Sequence, residues 1–193
     1  MSGDGRPAVF LDRDGTIGVA PPPGGFVVRP EAFRLIPGVA GALARLQAAG
    51  LALVVVTNQS CVARGLATED DVAAVHAEMR RRLGAAGVSL DAVYHCPSLD
   101  PDDPDRKPNP GMIERGLAAL GLDRARSVMV GDSARDIVAG AAAGLATVLV
   151  TAQSAPGERE RAEAAGPDAV FPSLGEAVDW ILERTVGRHD GDA

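Results

Sequence analysis

The sequence predicts a single-domain α/β protein with a Rossmann-like parallel sheet flanked by helices. Short apolar runs alternate along the chain with longer amphipathic stretches, which is the pattern of repeated strand–helix units. Most of the apolar runs are rich in Val and lack polar alternation, as is typical of parallel strands buried on both faces. A chain of 193 residues is long enough to bury one substantial core without disulfides.

Six strands and six helices are predicted in alternation. The predicted strands span residues 8–11, 51–56, 92–95, 127–130, 146–150 and 169–171. The predicted helices span residues 38–49, 68–87, 111–120, 134–143, 158–165 and 175–183. The second helix illustrates the assignment, because Thr68 is a favoured N-cap residue and Arg80, Arg81 and Arg82 near the far end complement the helix dipole. We assign residues 1–188 to the domain and predict a disordered tail at 189–193.

Composition disfavours several classes of partner. The net charge of −7 and the aromatic content of 3% are unsuited to nucleic acid or an anionic membrane. The longest apolar stretch, Val138–Val150, is too short to span a bilayer, and the N-terminus does not resemble a signal peptide. Cys61 and Cys96 form no disulfide framework. We therefore expect a cytoplasmic protein, and a monomer.

Polar side chains follow three of the predicted strands. Asp12 and Asp14 follow the first, a polar segment from Thr57 to Ser60 follows the second, and Asp132 follows the fourth, with Asp136 one turn later. The carboxyl ends of parallel strands lie at one edge of a sheet, where ligands bind. Helix capping accounts for one acid per strand end but not for this density. Clustered carboxylates need a cation, and oxygen ligands suit Mg²⁺.

Lys107 is the sole lysine among 19 basic residues. Where arginine serves every other position, a retained lysine indicates a place that needs a compact ammonium, although chance would also leave one. In the same site, Lys107 would help a metal ion to neutralise a phosphate. We expect its side chain to be partly exposed in an open site. His76 lies in the middle of a predicted helix, and we expect it on the polar face.

Four segments, FLDRDGTI, VVVTNQS, RKPNPGM and VGDSARD, resemble in order the motifs of the haloacid-dehalogenase (HAD) superfamily of phosphohydrolases. The resemblance covers about residues 8–172. Within that superfamily the LDRDGT, TNQS and RKP segments are most similar to heptose-bisphosphate phosphatases, whose close relatives are the histidinol-phosphate phosphatases. The resemblance implies Mg²⁺-dependent hydrolysis of a small sugar phosphate, most simply the 7-phosphate of a heptose bisphosphate. Histidinol phosphate or another small phosphate monoester is the alternative.

The resemblance also implies a role for each acidic residue. Asp12 corresponds to the nucleophile, whose carboxylate attacks phosphorus and forms an aspartyl phosphate. Asp14 corresponds to the general acid that protonates the leaving oxygen and then serves as the base for water. Asp12, the Asp14 main-chain carbonyl and Asp132 correspond to the Mg²⁺ ligands. Asp136 corresponds to an acid that orients metal-bound waters or Lys107.

The remaining predicted site residues bind the substrate. Thr57 and Lys107 correspond to the pair that holds the transferring phosphate. The other residues expected around the substrate are Asn58, Gln59, Ser60 and Arg106. Arg64 and Arg106 are candidates for contact with a second anionic group.

The chain departs from the heptose-bisphosphate phosphatases in its substrate loops. Those enzymes usually carry a structural zinc held by Cys, His and a Cys-x-Cys pair before the RKP motif, but here only Cys96 remains. A single Cys cannot build a tetrahedral site, so we expect no zinc. Ser133 stands where a Lys is frequent. About forty residues separate Thr16 from Thr57, which leaves no room for a cap domain, so we predict a roof of loops at 17–30, 60–66 and 97–105.

Two functions of other classes remain open from the residues alone. A phospho-receiver domain also places acids, Thr and Lys at the ends of parallel strands. Receivers are shorter, however, and their phosphoacceptor lies on a later strand than the acidic pair. A non-catalytic binding domain is the other alternative, and the four intact motifs disfavour it.

Overall fold

The computed structural model describes residues 5–154 and 157–187, and the predicted tail at 189–193 lies outside them. Six strands and six helices alternate as predicted. The strands are β1 (Ala8–Leu11), β2 (Ala52–Asn58), β3 (Ala92–Cys96), β4 (Val128–Gly131), β5 (Ala146–Val150) and β6 (Ala169–Phe171). The helices are α1 (Val39–Ala48), α2 (Glu69–Gly84), α3 (Gly111–Leu120), α4 (Ala134–Ala142), α5 (Glu158–Ala164) and α6 (Leu174–Thr185).

The strands form one parallel sheet in the order β3-β2-β1-β4-β5-β6. The order runs outward in both directions from the neighbouring pair β1 and β4, which is the arrangement of a doubly wound Rossmann-like sheet. A crevice opens at the carboxyl ends of strands where the winding direction reverses. Asp12 directly follows β1 and Asp132 directly follows β4, so both acids lie at this crevice.

Successive residues of each central strand enter different halves of the core. Val9 and Leu11 of β1 pack with α1, α2 and α6, whereas Ala8 and Phe10 pack with α3 and α4. Leu149 of β5 packs with α4 and α5 on this second face. All four residues of β1 are fully buried. This two-sided burial is the reason for the continuous apolar runs in the sequence, and it confirms the predicted fold class.

No cap domain is inserted between β1 and β2. Between β1 and β2, a segment that the structure describes completely, the chain forms only a short 3₁₀ helix (Pro30–Ala32) and α1. Immediately after β1 the backbone turns tightly, because the amides of Ile17 and Gly18 both donate to the carbonyl of Arg13. Among the described residues, no helix is both long and apolar enough to cross a membrane.

A complete capping box starts α2. The Asp71 amide donates to Thr68 Oγ1 at 3.1 Å, and the Thr68 amide donates to Asp71 Oδ2 at 2.8 Å.

We expect Thr68→Ala to lower the free energy of unfolding by about 1 kcal/mol in urea titrations, because a helix N–H loses its acceptor. Thr68→Ser keeps the hydroxyl and should lose much less; equal losses for both variants would contradict this role.

Candidate active site

The carboxyl edge of the sheet holds an acidic cavity that opens into a wider groove. Residues from three strand ends and from the loop before α3 line the cavity: Asp12, Asp14, Thr57, Asn58, Lys107, Asp132, Ser133, Arg135 and Asp136. The groove adds, among others, Ser60, Arg64, Arg106 and the proline-rich segment 21–26. The structure thus brings ten of the eleven predicted site residues to the lining of one continuous site, and only Gln59 lies behind it.

Lys107 lies at the floor of this cavity. Its Nζ donates to Asp12 Oδ1 at 2.7 Å, to Asp136 Oδ1 at 2.5 Å and to the carbonyl of Val56 at 2.7 Å. Its exposed fraction is 3%, so the expectation of a partly exposed side chain is wrong. The reason is that three acceptors converge on the ammonium and replace its water. A buried Lys is otherwise rare, and here it is fully paired.

The protonation equilibria of the site follow from burial and crowding. Burial raises the pKa of Asp12 to about 6, against the opposing charge of Lys107. Burial also raises the pKa of Asp132 to about 8, and the nearby charges of Asp12 and Asp136 raise it further. Burial acts to lower the pKa of Lys107, but the two carboxylates that it contacts outweigh burial and raise this pKa. The lysine is therefore charged, and the acids around it lack sufficient counter-charge.

Two glycines permit this crowding. At Gly15, which has a φ of +90°, a Cβ would lie 2.1 Å from Asp132 Oδ2. At Gly131, a Cβ would lie 2.3 Å from the Cβ of Asp136. Any side chain at either position would displace an acidic residue of the cavity. The Gly after Asp14 and the Gly before Asp132 are thus requirements of the site's geometry.

The donor set fits a hard divalent cation. Carboxylate oxygens of Asp12, Asp132 and Asp136 lie within 4.8 Å of one another, the one such group of three or more potential ligands in residues 5–154 and 157–187. Asp136 is already engaged, because its Oδ1 accepts from Lys107 and its Oδ2 accepts from Ser133 Oγ at 2.6 Å and the Ser133 amide at 3.1 Å. Asp12 and Asp132 are therefore the side chains best placed to bind Mg²⁺ directly.

Asn58 and Gln59 have contacts that the sequence did not indicate. Asn58 Oδ1 accepts from the Lys107 amide at 3.0 Å, and its Nδ2 donates to the Lys107 carbonyl at 2.8 Å. Asn58 thus pins the backbone that carries the lysine. Gln59 is buried, and its Nε2 donates to Thr57 Oγ1 at 3.0 Å. The Thr57 hydroxyl consequently keeps its own proton free to donate into the cavity.

Sequence reasoning missed two polar residues around the site and misplaced a third. Arg135, one residue before Asp136, is exposed and lines both the cavity and the groove. Arg13, between the two acids of the first motif, is fully buried and forms a forked pair with Asp14. His76 is also buried and contacts Arg13 Nη1 at 3.2 Å, so the expectation that it lies on a polar face is wrong. An Arg flanked by two catalytic-type acids was the available signal for this network.

The loop between β3 and α3 is braced by short-range hydrogen bonds. Asp100 Oδ1 accepts from the Asp102 amide at 3.0 Å, and Asp103 Oδ1 accepts from the Asp105 amide at 2.9 Å. Asn109 Nδ2 bridges two carbonyls of the same loop at 2.8 Å each. These turns give Asp100 and Asp103 a structural role that needs no ion. The absence of zinc stays a prediction.

The fold and the acidic, lysine-containing cavity are those of an α/β enzyme that acts on phosphate groups. Comparison with known proteins supports this class. Residues 105–177 match the HAD-hydrolase-like family. A D-glycero-D-manno-heptose-1,7-bisphosphate 7-phosphatase of Thermosynechococcus vestitus is 41% identical over 95% of this chain and 99% of its own.

Two solved structures are also similar. The D,D-heptose 1,7-bisphosphate phosphatase of B. bronchiseptica, complexed with magnesium and phosphate, has a TM-score of 0.79 at 36% identity, over 92% of this chain and 98% of its own. A putative HAD-like phosphatase of Mesorhizobium loti has a TM-score of 0.77 at 37% identity, over 96% and 90%. The chain belongs to the HAD family and is a phosphoric monoester hydrolase. The predicted resemblance and the prediction of an enzyme are confirmed.

Replacing Lys107 by Arg tests whether the site needs a compact ammonium. The planar guanidinium is larger and presents its donors differently, so we expect kcat to fall by the equivalent of about 2–4 kcal/mol. Because the side chain is buried between two acids, we also expect a lower Tm. Arg45→Lys, an exposed exchange far from the site, is the control. A variant that keeps more than half of the wild-type kcat would show that the lysine is an accident of composition.

The zinc expectation is checked by elemental analysis of protein purified without added metal. We expect no stoichiometric zinc, because Cys96 has no partner ligands of the expected pattern and the loop is held by its own Asp turns. Incubation with EDTA should leave the thermal melt unchanged. About one zinc per chain, with the fold lost on chelation, would contradict this expectation.

Proposed function

We propose that this chain is a Mg²⁺-dependent phosphatase that removes the 7-phosphate from a heptose 1,7-bisphosphate through an aspartyl-phosphate intermediate. The observation that carries the proposal is the contact of Lys107 Nζ with both Asp12 and Asp136 at the crevice between β1 and β4. The choice of substrate is supported by the names of the similar proteins, which act on heptose 1,7-bisphosphates. Histidinol phosphate and other small phosphate monoesters belong in the test panel.

Asp12 is the proposed nucleophile. Lys107 holds its Oδ1, and within the described part of the chain no other hydrogen bond to this carboxylate competes with attack by Oδ2. In the first half-reaction Asp12 attacks phosphorus, the bond from phosphorus to the sugar oxygen breaks, and Asp14 gives its proton to that oxygen. Lys107 and the Thr57 hydroxyl meet the charge on the remaining phosphoryl oxygens.

The second half-reaction returns the enzyme to its starting state. Asp14 now accepts a proton from water, and the water oxygen attacks the phosphorus of the aspartyl phosphate. The Asp12 carboxylate leaves, and inorganic phosphate is released. Asp14 lines the cavity and the groove, so it faces both the leaving sugar and incoming water. One residue thereby serves as acid and then as base.

Mg²⁺, bound by the side chains of Asp12 and Asp132 and by the Asp14 carbonyl, would screen the charge of the substrate phosphate. Asp136 and Ser133 hold the rest of the cavity in place, since Asp136 links Lys107 to the start of α4. A bound cation would let a phosphate enter a cavity that is lined by clustered carboxylates.

Three arginines at the groove suit a second phosphate. Arg64 and Arg135 are exposed, and Arg106, whose Nη1 donates to the Ser98 carbonyl, is half-buried. All three line the groove, and Arg135 also lines the acidic cavity. A substrate whose reacting phosphate enters the cavity would direct its distal end toward these cations.

The experiment that tests the proposal is a substrate panel with Mg²⁺, containing heptose 1,7-bisphosphate, its 7-monophosphate, histidinol phosphate and other sugar and nucleotide phosphates. We expect the highest kcat/KM for the bisphosphate and no turnover in EDTA. In Arg106→Met and Arg135→Met, kcat/KM for the bisphosphate should fall about tenfold more than that for the monophosphate, since a charged hydrogen-bonded contact is lost. Arg45→Met is the matched control. A higher kcat/KM for histidinol phosphate would contradict the proposed substrate.

Asp12→Asn tests the covalent step. An amide cannot form an acyl phosphate, so we expect no measurable turnover with any substrate. The variant should remain folded, because the amide oxygen of Asn can still accept from Lys107, and its thermal melt provides the check. Activity within tenfold of wild type would exclude Asp12 as the nucleophile.

A further inference from the structure

We propose that Arg13, supported by His76 and Gln59, is a positioning residue that orients the Asp14 carboxylate toward the leaving group. The inference rests on the proposed function, since it concerns the acid and base of that reaction. Neither the motif resemblance nor the comparisons give a role to Arg13 or His76.

The first step is the geometry of the forked pair. Arg13 Nε donates to Asp14 Oδ1 at 3.1 Å, and Arg13 Nη2 donates to Asp14 Oδ2 at 2.7 Å. This two-point contact fixes the plane of the carboxylate as well as its position. The Arg13 side chain is fully buried, whereas that of Asp14 is 19% exposed. The Arg13 donors therefore contact the carboxylate from the protein interior, and the exposed part of the carboxylate faces the groove.

The second step is what holds the guanidinium. Its Nη1 contacts His76 Nε2 at 3.2 Å, and its Nη2 also donates to Gln59 Oε1 at 2.9 Å. Burial first, and then the charge of Arg13, lower the pKa of His76 to about 3, so the ring is neutral and its Nε2 can accept. His76 comes from α2 and Gln59 from the loop after β2. Two separate elements thus fix the orientation of the Arg13 guanidinium and restrict the motion of this otherwise flexible side chain.

The third step links this network to the phosphate. Gln59 Nε2 donates both to Thr57 Oγ1 at 3.0 Å and to Asp14 Oδ2 at 3.2 Å. A single amide therefore ties the proposed acid and base to a hydroxyl that faces the transferring phosphoryl group. General acid catalysis depends on this kind of fixed distance between proton donor and reacting atom. Arg13 contacts Asp14 directly and reaches Thr57 through Gln59, so the buried guanidinium is connected to both catalytic elements.

The test compares substrates whose leaving groups differ in their need for a proton. Nitrophenolate leaves without protonation, phenolate needs it more, and a sugar alkoxide needs it most. Because kcat/KM reports the steps up to formation of the aspartyl phosphate, the ratio of kcat/KM for p-nitrophenyl phosphate to that for phenyl phosphate isolates the acid's contribution. The aryl pair makes the test independent of which sugar phosphate is the physiological substrate.

The variants are Arg13→Lys, which keeps the charge without the fork, and His76→Leu, which removes the acceptor. We expect each to raise the ratio about tenfold, a partial loss of the 10²- to 10⁴-fold effect of a positioned acid. His76→Gln, which restores an acceptor, should return the ratio to within threefold of wild type. Asp14→Asn gives the upper limit.

Ser127→Ala is the control for stability. It removes the buried hydroxyl that accepts from the Ala8 amide at the opposite edge of the sheet, so it lowers Tm without touching the network. If Arg13→Lys and His76→Leu lower kcat/KM for both aryl phosphates equally, in step with Tm and as Ser127→Ala does, the positioning role is overturned while the phosphatase function stands. A wild-type protein that hydrolyses no phosphate monoester overturns both proposals.

Discussion

A single buried ammonium organises the carboxyl edge of this sheet. Lys107 Nζ lies between Asp12 and Asp136, and each of these acids depends on it because a buried carboxylate without a partner is strongly unfavourable. The position of the lysine depends in turn on Asn58, whose side-chain amide hydrogen-bonds to both the N–H and the carbonyl of the Lys107 backbone. Removing any member of this set leaves the others with unpaired charge or without their position. The arrangement is stable only as a whole, and a bound cation would complete it.

The sheet topology explains why these residues can meet although they are distant in sequence. β1 and β4 are neighbours, so Asp12 and Asp132 leave the sheet side by side. β2 lies on the other side of β1 and delivers Thr57 and Asn58 to the same edge. The inner strands of the sheet, β1, β2 and β4, thus position the acidic and polar residues of the cavity. The loops that would select the substrate lie farther out, where the fold tolerates change.

The fold and most of the site could be predicted because their signals are local. Apolar runs with Val marked the strands, and polar residues after three of those runs, acids after two of them, marked the edge where they meet. The burial of Lys107 was not predictable from its own segment, since it arises from Asp136 and Val56, which the chain brings together only on folding. His76 was misplaced for the same reason. A polar residue in a helix indicates a solvent-facing side unless a buried partner such as Arg13 exists, and no local pattern reveals that partner.

The charge of the site changes with distance from the sheet, and this gradient reconciles an acidic protein with an anionic substrate. In the inner cavity three clustered carboxylates face one ammonium, which leaves a formal excess of two negative charges when all are ionised. A divalent cation would cancel that excess, and the Thr57 hydroxyl and Lys107 would then meet a phosphoryl group in an electrically balanced cavity. The outer groove adds Arg64 and Arg106, shares Arg135 with the cavity, and also contains Glu158, which is paired with Arg161. These arginines need no metal to attract an anion. A substrate with phosphates at both ends matches both regions, whereas a monophosphate uses only the inner one. The inner cavity would need a metal ion to bind one phosphate, whereas the outer arginines would contact a second phosphate without a metal. This difference is the physical basis on which the site would distinguish a bisphosphate from a monophosphate.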